Sequence, residues 1–469
     1  MTEKKYALSI FSLTMLTVGS VDSIRNLPTT ALFGSQLISF FILGALCFLI
    51  PTALVSAELA SGWPKQGGIY VWVKAAFGKQ VAFLAIWLQW VSNVIWYPAI
   101  LSFVAGSIGY LIDPALASQP SFLFSVIVTL FWGATFLNLR GMQSSALMSN
   151  ICAISGLLLP MALIIGLGVV WIMGDNPVQI NFDTASILPH FNDSSMWVSL
   201  TAIMLSFCGI EIATVHANDV ENPQHAFPRA LVYSVGIILS TLMLGSLAIA
   251  VVLPSNEINL VAGIMQAFDA FFGHYGLAFM MPLIALMLVM GGFGGVSNWI
   301  IAPTKGLLVA AQDGNLPIFF QRENAQGAPV VMLISQAISV TCLSGLFLFM
   351  PSVNGSYWFL TALAAQLYML MYLLMFITGI ALRIKAPSQP RAFRIPGGMM
   401  GMLLVAGLGI FGVLMTLGVS FIPPTGIDIG GAARYEMFLV FGLFVLCLPP
   451  FITAWCASRK TRICEALSS

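Results

Sequence analysis

Charge is what this chain has least of. Of its 469 residues only 7% are Asp, Glu, Lys or Arg, whereas a soluble domain carries about a quarter. So little charge excludes a chain that covers itself with water-facing side chains. The formal balance of +1 lacks the basic excess that a nucleic-acid partner requires. Histidine is scarce too, with four in all, and the sequence holds neither HExxH nor a phosphate-binding glycine loop, which removes the metallopeptidase and nucleotide-hydrolase readings. The seven cysteines form no CxxC pair and sit mostly inside apolar runs; they read as small apolar packers, not as a disulfide or metal framework. No filter-like loop repeats and no soluble output domain is attached, which argues against a channel or a sensor. No small-residue cleavage site follows Tyr6-Ala7-Leu8-Ser9-Ile10, so a removable signal peptide is not expected.

Apolar sequence, by contrast, is everywhere, at 59% of the chain. Runs of about twenty residues recur along its length, each long enough to cross a hydrocarbon core about 30 Å thick. They are apolar on all sides and do not alternate, which excludes barrel strands and leaves helices as the only spanning form. The pattern predicts an all-α membrane protein with about 12 transmembrane helices, near 7–33, 36–60, 80–111, 122–140, 145–173, 195–219, 227–253, 276–311, 330–350, 356–384, 399–422 and 435–457. The stretch 255–272 is more polar and is expected on the outer face. With the N-terminus inside, every lysine and arginine except Arg25 and Arg434 falls in a cytoplasmic segment, a strong positive-inside bias that places both termini in the cytoplasm.

Two of these helices are interrupted. The first carries Gly19-Ser20-Val21-Asp22-Ser23-Ile24-Arg25-Asn26-Leu27-Pro28, and the sixth carries Ser206-Phe207-Cys208-Gly209-Ile210-Glu211. Glycine beside ionisable residues is costly in a lipid-facing helix and marks function. Each break opens a block of five helices; five is odd, so the second block runs inverted. The expected units are 1–175, 195–385 and a final pair of helices over 399–458.

The first cytoplasmic loop reads Ala57-Glu58-Leu59-Ala60 and then Pro64-Lys65-Gln66-Gly67-Gly68-Ile69-Tyr70-Val71-Trp72. The segment after the eighth helix reads Pro303-Thr304-Lys305-Gly306 and then Ala311-Gln312-Asp313-Gly314-Asn315-Leu316-Pro317. Both resemble hallmarks of the amino acid–polyamine–organocation superfamily. Gly209-Ile210-Glu211 through His216-Ala217-Asn218-Asp219-Val220-Glu221-Asn222-Pro223, Pro254-Ser255-Asn256-Glu257-Ile258-Asn259-Leu260 and Arg394-Ile395-Pro396-Gly397-Gly398 are similar to the bacterial glutamate/GABA antiporter branch. The resemblance implies a leucine-transporter-like fold, two inverted five-helix repeats plus two C-terminal helices, in a bacterial inner membrane. This sequence departs from the branch in Asp22, Arg25 and Asn26. Its short tail, ending Arg462-Ile463-Cys464-Glu465-Ala466-Leu467-Ser468-Ser469, is not expected to form the C-terminal plug known there. No lysine or arginine lies between Ser144 and Trp171, where some proton-coupled relatives place a lysine, and this favours exchange.

A broken helix offers free N–H groups to a carboxylate and free C=O groups to an ammonium. The expected substrate contacts are therefore Val21, Asp22, Ser23, Arg25, Asn26, Phe207, Cys208, Gly209, Ile210, Glu211 and Trp299. Asp22 and Arg25 are three apart and pair along one face if that stretch is helical; otherwise Arg25 meets a substrate carboxylate and Asp22 an ammonium or a proton. Glu211 binds the ammonium, carries a proton or ties the half-helices together. Glu58 reads as an inner-gate residue, with Lys305 as its partner or as a positive-inside anchor, and His216 as a packing residue or a pH sensor. Trp87, Trp90, Trp96 and Tyr97 are further aromatic candidates, and Gly291-Gly292-Phe293-Gly294-Gly295 a site of close helix approach. The function expected is antiport of amino acids, glutamate/GABA-like or other neutral or acidic ones, by alternating access, without cofactor or metal, with small-molecule amino acid substrates, the lipid bilayer and protons as partners, in a monomer or homodimer. The alternatives are proton-coupled symport, polyamine or cationic amino acid transport on the same fold, and, remotely, a membrane-embedded enzyme or sensor.

Overall fold

The computed structural model describes residues 9–65, 67–140, 154–188, 197–213 and 223–468. They are almost wholly helical. In chain order the helices are α1 (Ile10–Val21), α2 (Leu27–Ala31), α3 (Gly34–Gly62), α4 (Ile69–Phe77), α5 (Lys79–Ile112), α6 (Pro120–Leu139), α7 (Ile154–Met173), α8 (Ser199–Ser206), α9 (Ile210–Ala213), α10 (Pro223–Val252), α11 (Gly263–Tyr275), α12 (Met281–Gln312), α13 (Val330–Phe349), α14 (Val353–Lys385), α15 (Gly398–Val419) and α16 (Ala432–Ser468).

Among the described residues, ten helices are long and apolar enough to cross a membrane: α3, α5, α6, α7, α10, α12, α13, α14, α15 and α16. The remaining two of the expected twelve are the interrupted ones, present as the short pairs α1/α2 and α8/α9. The order is thus one broken helix and four continuous ones, the same again, and then two more. The interior is built on α5 and α14. In its most apolar stretch α5 is 72% buried within the protein, against 11% for α16, so α16 sits at the periphery with its apolar side chains facing outward. In water that exposure would drive aggregation; in lipid it carries no penalty.

The breaks have local causes. Asp22 caps α1 in an extended conformation (φ −67°, ψ 132°), Ser23 is extended as well (φ −150°, ψ 114°), and a short 3-10 turn over Ile24–Asn26 leads into α2. In the sixth segment Gly209 takes φ +107°, a conformation that only glycine adopts without strain. Two connections are more ordered than the sequence suggests. The loop after α3 folds into α4, which buries Ile69, Tyr70, Trp72 and Val73. The more polar stretch 255–272 contains most of α11, whose Ile264, Met265, Phe268, Phe271 and Phe272 are buried, as in an amphipathic helix laid against its neighbours.

Candidate functional site

The two breaks meet. A Cβ added to Gly209 would lie 2.8 Å from the carbonyl oxygen of Ser20 and 3.3 Å from the Trp299 ring, so glycine is needed here for close approach as well as for its dihedral angles. Beside this contact is a cavity of about 160 Å³, room for a small molecule and not just one water. Residues 19–26 of the first break form one wall. Ser92, Asn93, Trp96, Ile100 and Phe103 of α5 form another, and Gly156 and Leu157 of α7, Leu205, Cys208, the glycines of α12, Trp299, Ala364 and Tyr368 complete it. The glycines serve packing: Cβ atoms on Gly156 and Gly291 would run into each other's backbones at 2.1 and 2.5 Å.

Asp22 and Arg25 are the only ionisable carboxylate and cation among the described residues lining this cavity. Both are buried, at 5% and 3% exposure. They do not pair with each other, so the helical ion pair allowed by their spacing does not form; the two extended residues between α1 and the 3-10 turn carry them onto different neighbours. Asp22 Oδ2 accepts a hydrogen bond from the Thr241 hydroxyl of α10 at 2.9 Å. The Arg25 Nη1 donates to the Tyr357 hydroxyl of α14 at 3.1 Å, and its guanidinium lies over the Trp96 ring, 4.9 Å from the centroid. Each keeps one buried polar atom without a partner, Oδ1 of Asp22 and Nε of Arg25. Such atoms are rare and costly in a folded protein, and a ligand is one way to satisfy them.

Of the other expected contacts, Val21, Ser23, Asn26, Cys208 and Trp299 line the cavity. Phe207, Gly209, Ile210 and Glu211 do not. Phe207 is fully buried, edge-on to Phe41 at 5.7 Å, and is a packing residue here. Glu211 lies one layer behind the wall. It accepts from Gln89 Nε2 at 3.0 Å, from the Tyr368 hydroxyl at 2.8 Å and from the Tyr372 hydroxyl. Tyr372 in turn accepts the Gly209 N–H at 2.9 Å. Glu211 therefore ties the sixth segment to α5 and α14, and Tyr368 stands between it and the cavity. Trp96, one of the aromatic candidates, lines the cavity and stacks toward Trp299 at 5.8 Å, while the Tyr97 hydroxyl donates to the Trp299 carbonyl at 2.8 Å. Trp87 and Trp90 instead donate to the Leu446 carbonyl and to Gln336 of neighbouring helices.

Sequence reasoning missed Asn93, Gln89, Tyr357, Tyr368 and Thr241. A signal existed for the first two: polar side chains at i and i+4 in a deeply apolar helix are expensive unless they serve a site.

Near the C-terminal end of α3, Glu58 receives a two-pronged contact from Arg383, with Nε–Oε1 and Nη2–Oε2 both 2.7 Å. The Ile395 N–H adds a bond at 2.8 Å, and Arg391 Nε lies 3.5 Å from Oε1. Lys305 is exposed on α12 and is not the partner of Glu58; α14 supplies the cation instead. His216 lies outside the described residues. Nearby, Lys74 and Tyr70 of α4 both bond Asp313 at the end of α12, and Asn315 donates to the Tyr70 hydroxyl at 3.2 Å. The two stretches that carried the superfamily resemblance thus touch in space.

Ten helices long and apolar enough to cross a membrane and two interrupted ones meeting at a buried polar cavity define a multi-pass α-helical membrane transporter. The chain belongs to the amino acid permease family, whose profile matches residues 8–445, within the amino acid–polyamine–organocation superfamily suggested by its motifs. It is 45% identical to an uncharacterized transporter of Legionella pneumophila over 97% of this chain and 98% of that one. It is 31% identical to a glutamate/gamma-aminobutyrate antiporter of Lactococcus lactis over 96% of this chain and 90% of the relative. A probable agmatine/putrescine antiporter of the same organism is 24% identical over 85% and 84% of the two chains.

Proposed function

We propose that the protein is an amino acid antiporter of the bacterial inner membrane, with both termini cytoplasmic, working by alternating access. The observation that carries this reading is Asp22 and Arg25 in the wall of one cavity, unpaired with each other and each with an unpartnered buried polar atom. Asp22 caps the C-terminus of α1, the negative end of that helix dipole, and together they suit an ammonium. Arg25 suits a carboxylate, since a guanidinium offers several donors in one plane. Cys208, Trp299, Trp96 and Asn93 shape the space between and around them. The relatives named as glutamate/gamma-aminobutyrate antiporters support exchange over uptake.

In this reading residues 1–175 and 195–385 are inverted repeats, with 399–458 as two added helices. The interrupted segments rock against α5 and α12, while the Glu211 and Glu58 networks hold and release the inner side. Counterflow in proteoliposomes tests the proposal. Labelled amino acid should accumulate only when unlabelled amino acid is trapped inside. An absence of counterflow across a full amino acid panel would reject it.

A further inference from the structure

The charge census of the cavity goes further than the class of protein, and it rests on the exchanger reading above. We propose that the cavity selects cargo of zero net charge bearing one ammonium and one carboxylate, and rejects both anions such as glutamate and dications such as putrescine.

The walls present one carboxylate and one guanidinium, and every other described lining side chain is neutral. Were Asp22 and Arg25 paired, the cavity would be electrically closed to charged cargo. They are not paired. Each is anchored by neutral groups, Asp22 by Thr241 and Arg25 by Tyr357 and the Trp96 face, and each presents one unsatisfied atom. A zwitterion sets its ammonium against the Asp22 carboxylate and its carboxylate against the Arg25 guanidinium, and the loaded cavity stays neutral. A cargo with a second carboxylate satisfies Arg25 but sets an unmatched negative charge in a buried space that already holds Asp22. A diamine satisfies Asp22 and sets its second ammonium against Arg25. Either way one buried charge is left uncompensated, which is the costliest arrangement in a low-dielectric interior. Glu211 does not change the census at the wall, because its oxygens are engaged by Gln89, Tyr368 and Tyr372 behind it.

Exchange of two such cargoes moves no net charge. The membrane potential then neither drives nor opposes it, whereas each unit of charge carried across 100 mV would bias the distribution by about fiftyfold.

The test uses the purified full-length protein in proteoliposomes, with 4-aminobutyrate, alanine, glutamate and putrescine as probes. Counterflow is expected with a net-neutral probe and not with glutamate or putrescine, and heteroexchange of two neutral probes should give no current on a supported membrane. The variants should tilt selectivity in opposite directions. Asp22→Asn should improve glutamate relative to the neutral probes, and Arg25→Gln should improve putrescine relative to them, each by about tenfold to a hundredfold, the range for losing a charged hydrogen-bond partner. Thermal-shift binding of each probe in detergent supplies the same ratios where a variant transports poorly. Glutamate or putrescine exchanging as fast as the neutral probes in the native protein overturns this inference and leaves the exchanger reading standing. Counterflow with no probe in an extended amino acid panel removes both.

Discussion

Gly209 and Ser20 bring the two interrupted helices into direct backbone contact, at a spacing that leaves 2.8 Å between a hypothetical Cβ and the Ser20 carbonyl. The carbonyl end of α1 and the turn of the sixth segment are therefore one structural unit, and the cavity lies at its edge. Substituting alanine at 209 adds both a clash and a forbidden φ of +107°, for a cost of about 1–3 kcal/mol. Gly209→Ala should lower the apparent melting temperature and abolish exchange. Gly166→Ala, where nothing lies within 4 Å of the added carbon, should be neutral or slightly stabilising. Equal melting of the two variants would refute the contact.

Glu211 accepts from three neutral donors. Glu211→Gln replaces one acceptor oxygen by an amino group facing other donors, so transport should fall steeply. Tyr372→Phe removes the bond to Glu211 and also the partner of the Gly209 N–H. Residues sharing a network couple by about 0.5–3 kcal/mol, so the double variant should lose less stability than the sum of the two. Strict additivity in thermal melts would mean that the network does not act as a unit.

Glu58 and Arg383 form a buried ion pair with side-chain exposures of 2% and 1%. Removing one partner of such a pair costs about 3–5 kcal/mol, because the other charge stays buried and unpaired. Glu58→Gln should destabilise strongly, and Arg383→Lys should not be tolerated either, since an ammonium cannot reproduce the two-pronged contact. Detergent melting of both variants checks this; a near-native Arg383→Lys would show that charge alone suffices.

Asp313 tests the tie between α4 and α12 by pH. Partial burial opposes its ionisation, but the hydrogen bonds from Lys74 and Tyr70 and the charges of Lys74 and Lys79 prevail, holding its carboxyl below the usual range. A depressed folded-state value contributes stability that is present above the unfolded value of about 4 and is lost as pH falls through the folded one. Melting temperature should therefore not respond to this tie between pH 5 and 8 and should drop below about pH 4. Asp313→Asn should flatten that acid limb. An acid limb unchanged in the variant would assign it to other groups.

Cys208 is the one free cysteine described as lining the cavity; Cys47, Cys342 and Cys447 do not line it. A small neutral thiol reagent should inhibit exchange, saturating cargo should protect, and Cys208→Ser should be insensitive. Inhibition that persists in Cys208→Ser would place the reactive thiol elsewhere.

The membrane-spanning class and the positions of both breaks were legible because they depend on local composition. A twenty-residue apolar run spans by length alone, and glycine beside a charge in such a run marks an interruption wherever it packs. The partner of Glu58 was not legible. The motif pattern offers Lys305 for Glu58 either as a partner or as an anchor unrelated to it, and α14 brings Arg383 to Glu58 from 325 residues away. Phe207 likewise neighbours the break in sequence but turns toward Phe41 and away from the cavity.

The sequence by itself determined an all-helical membrane protein with two discontinuous segments, because hydropathy and backbone hydrogen bonding in lipid leave no other solution. Only the tertiary structure decided which charges stand alone. Asp22 and Arg25 lie close enough along the chain to cancel each other. Two extended residues and three neighbouring helices give each its own neutral anchor and set both residues, unpaired with each other, in the wall of one cavity. Electrostatic partnership acts through space between residues brought together by packing, and chain spacing does not encode it.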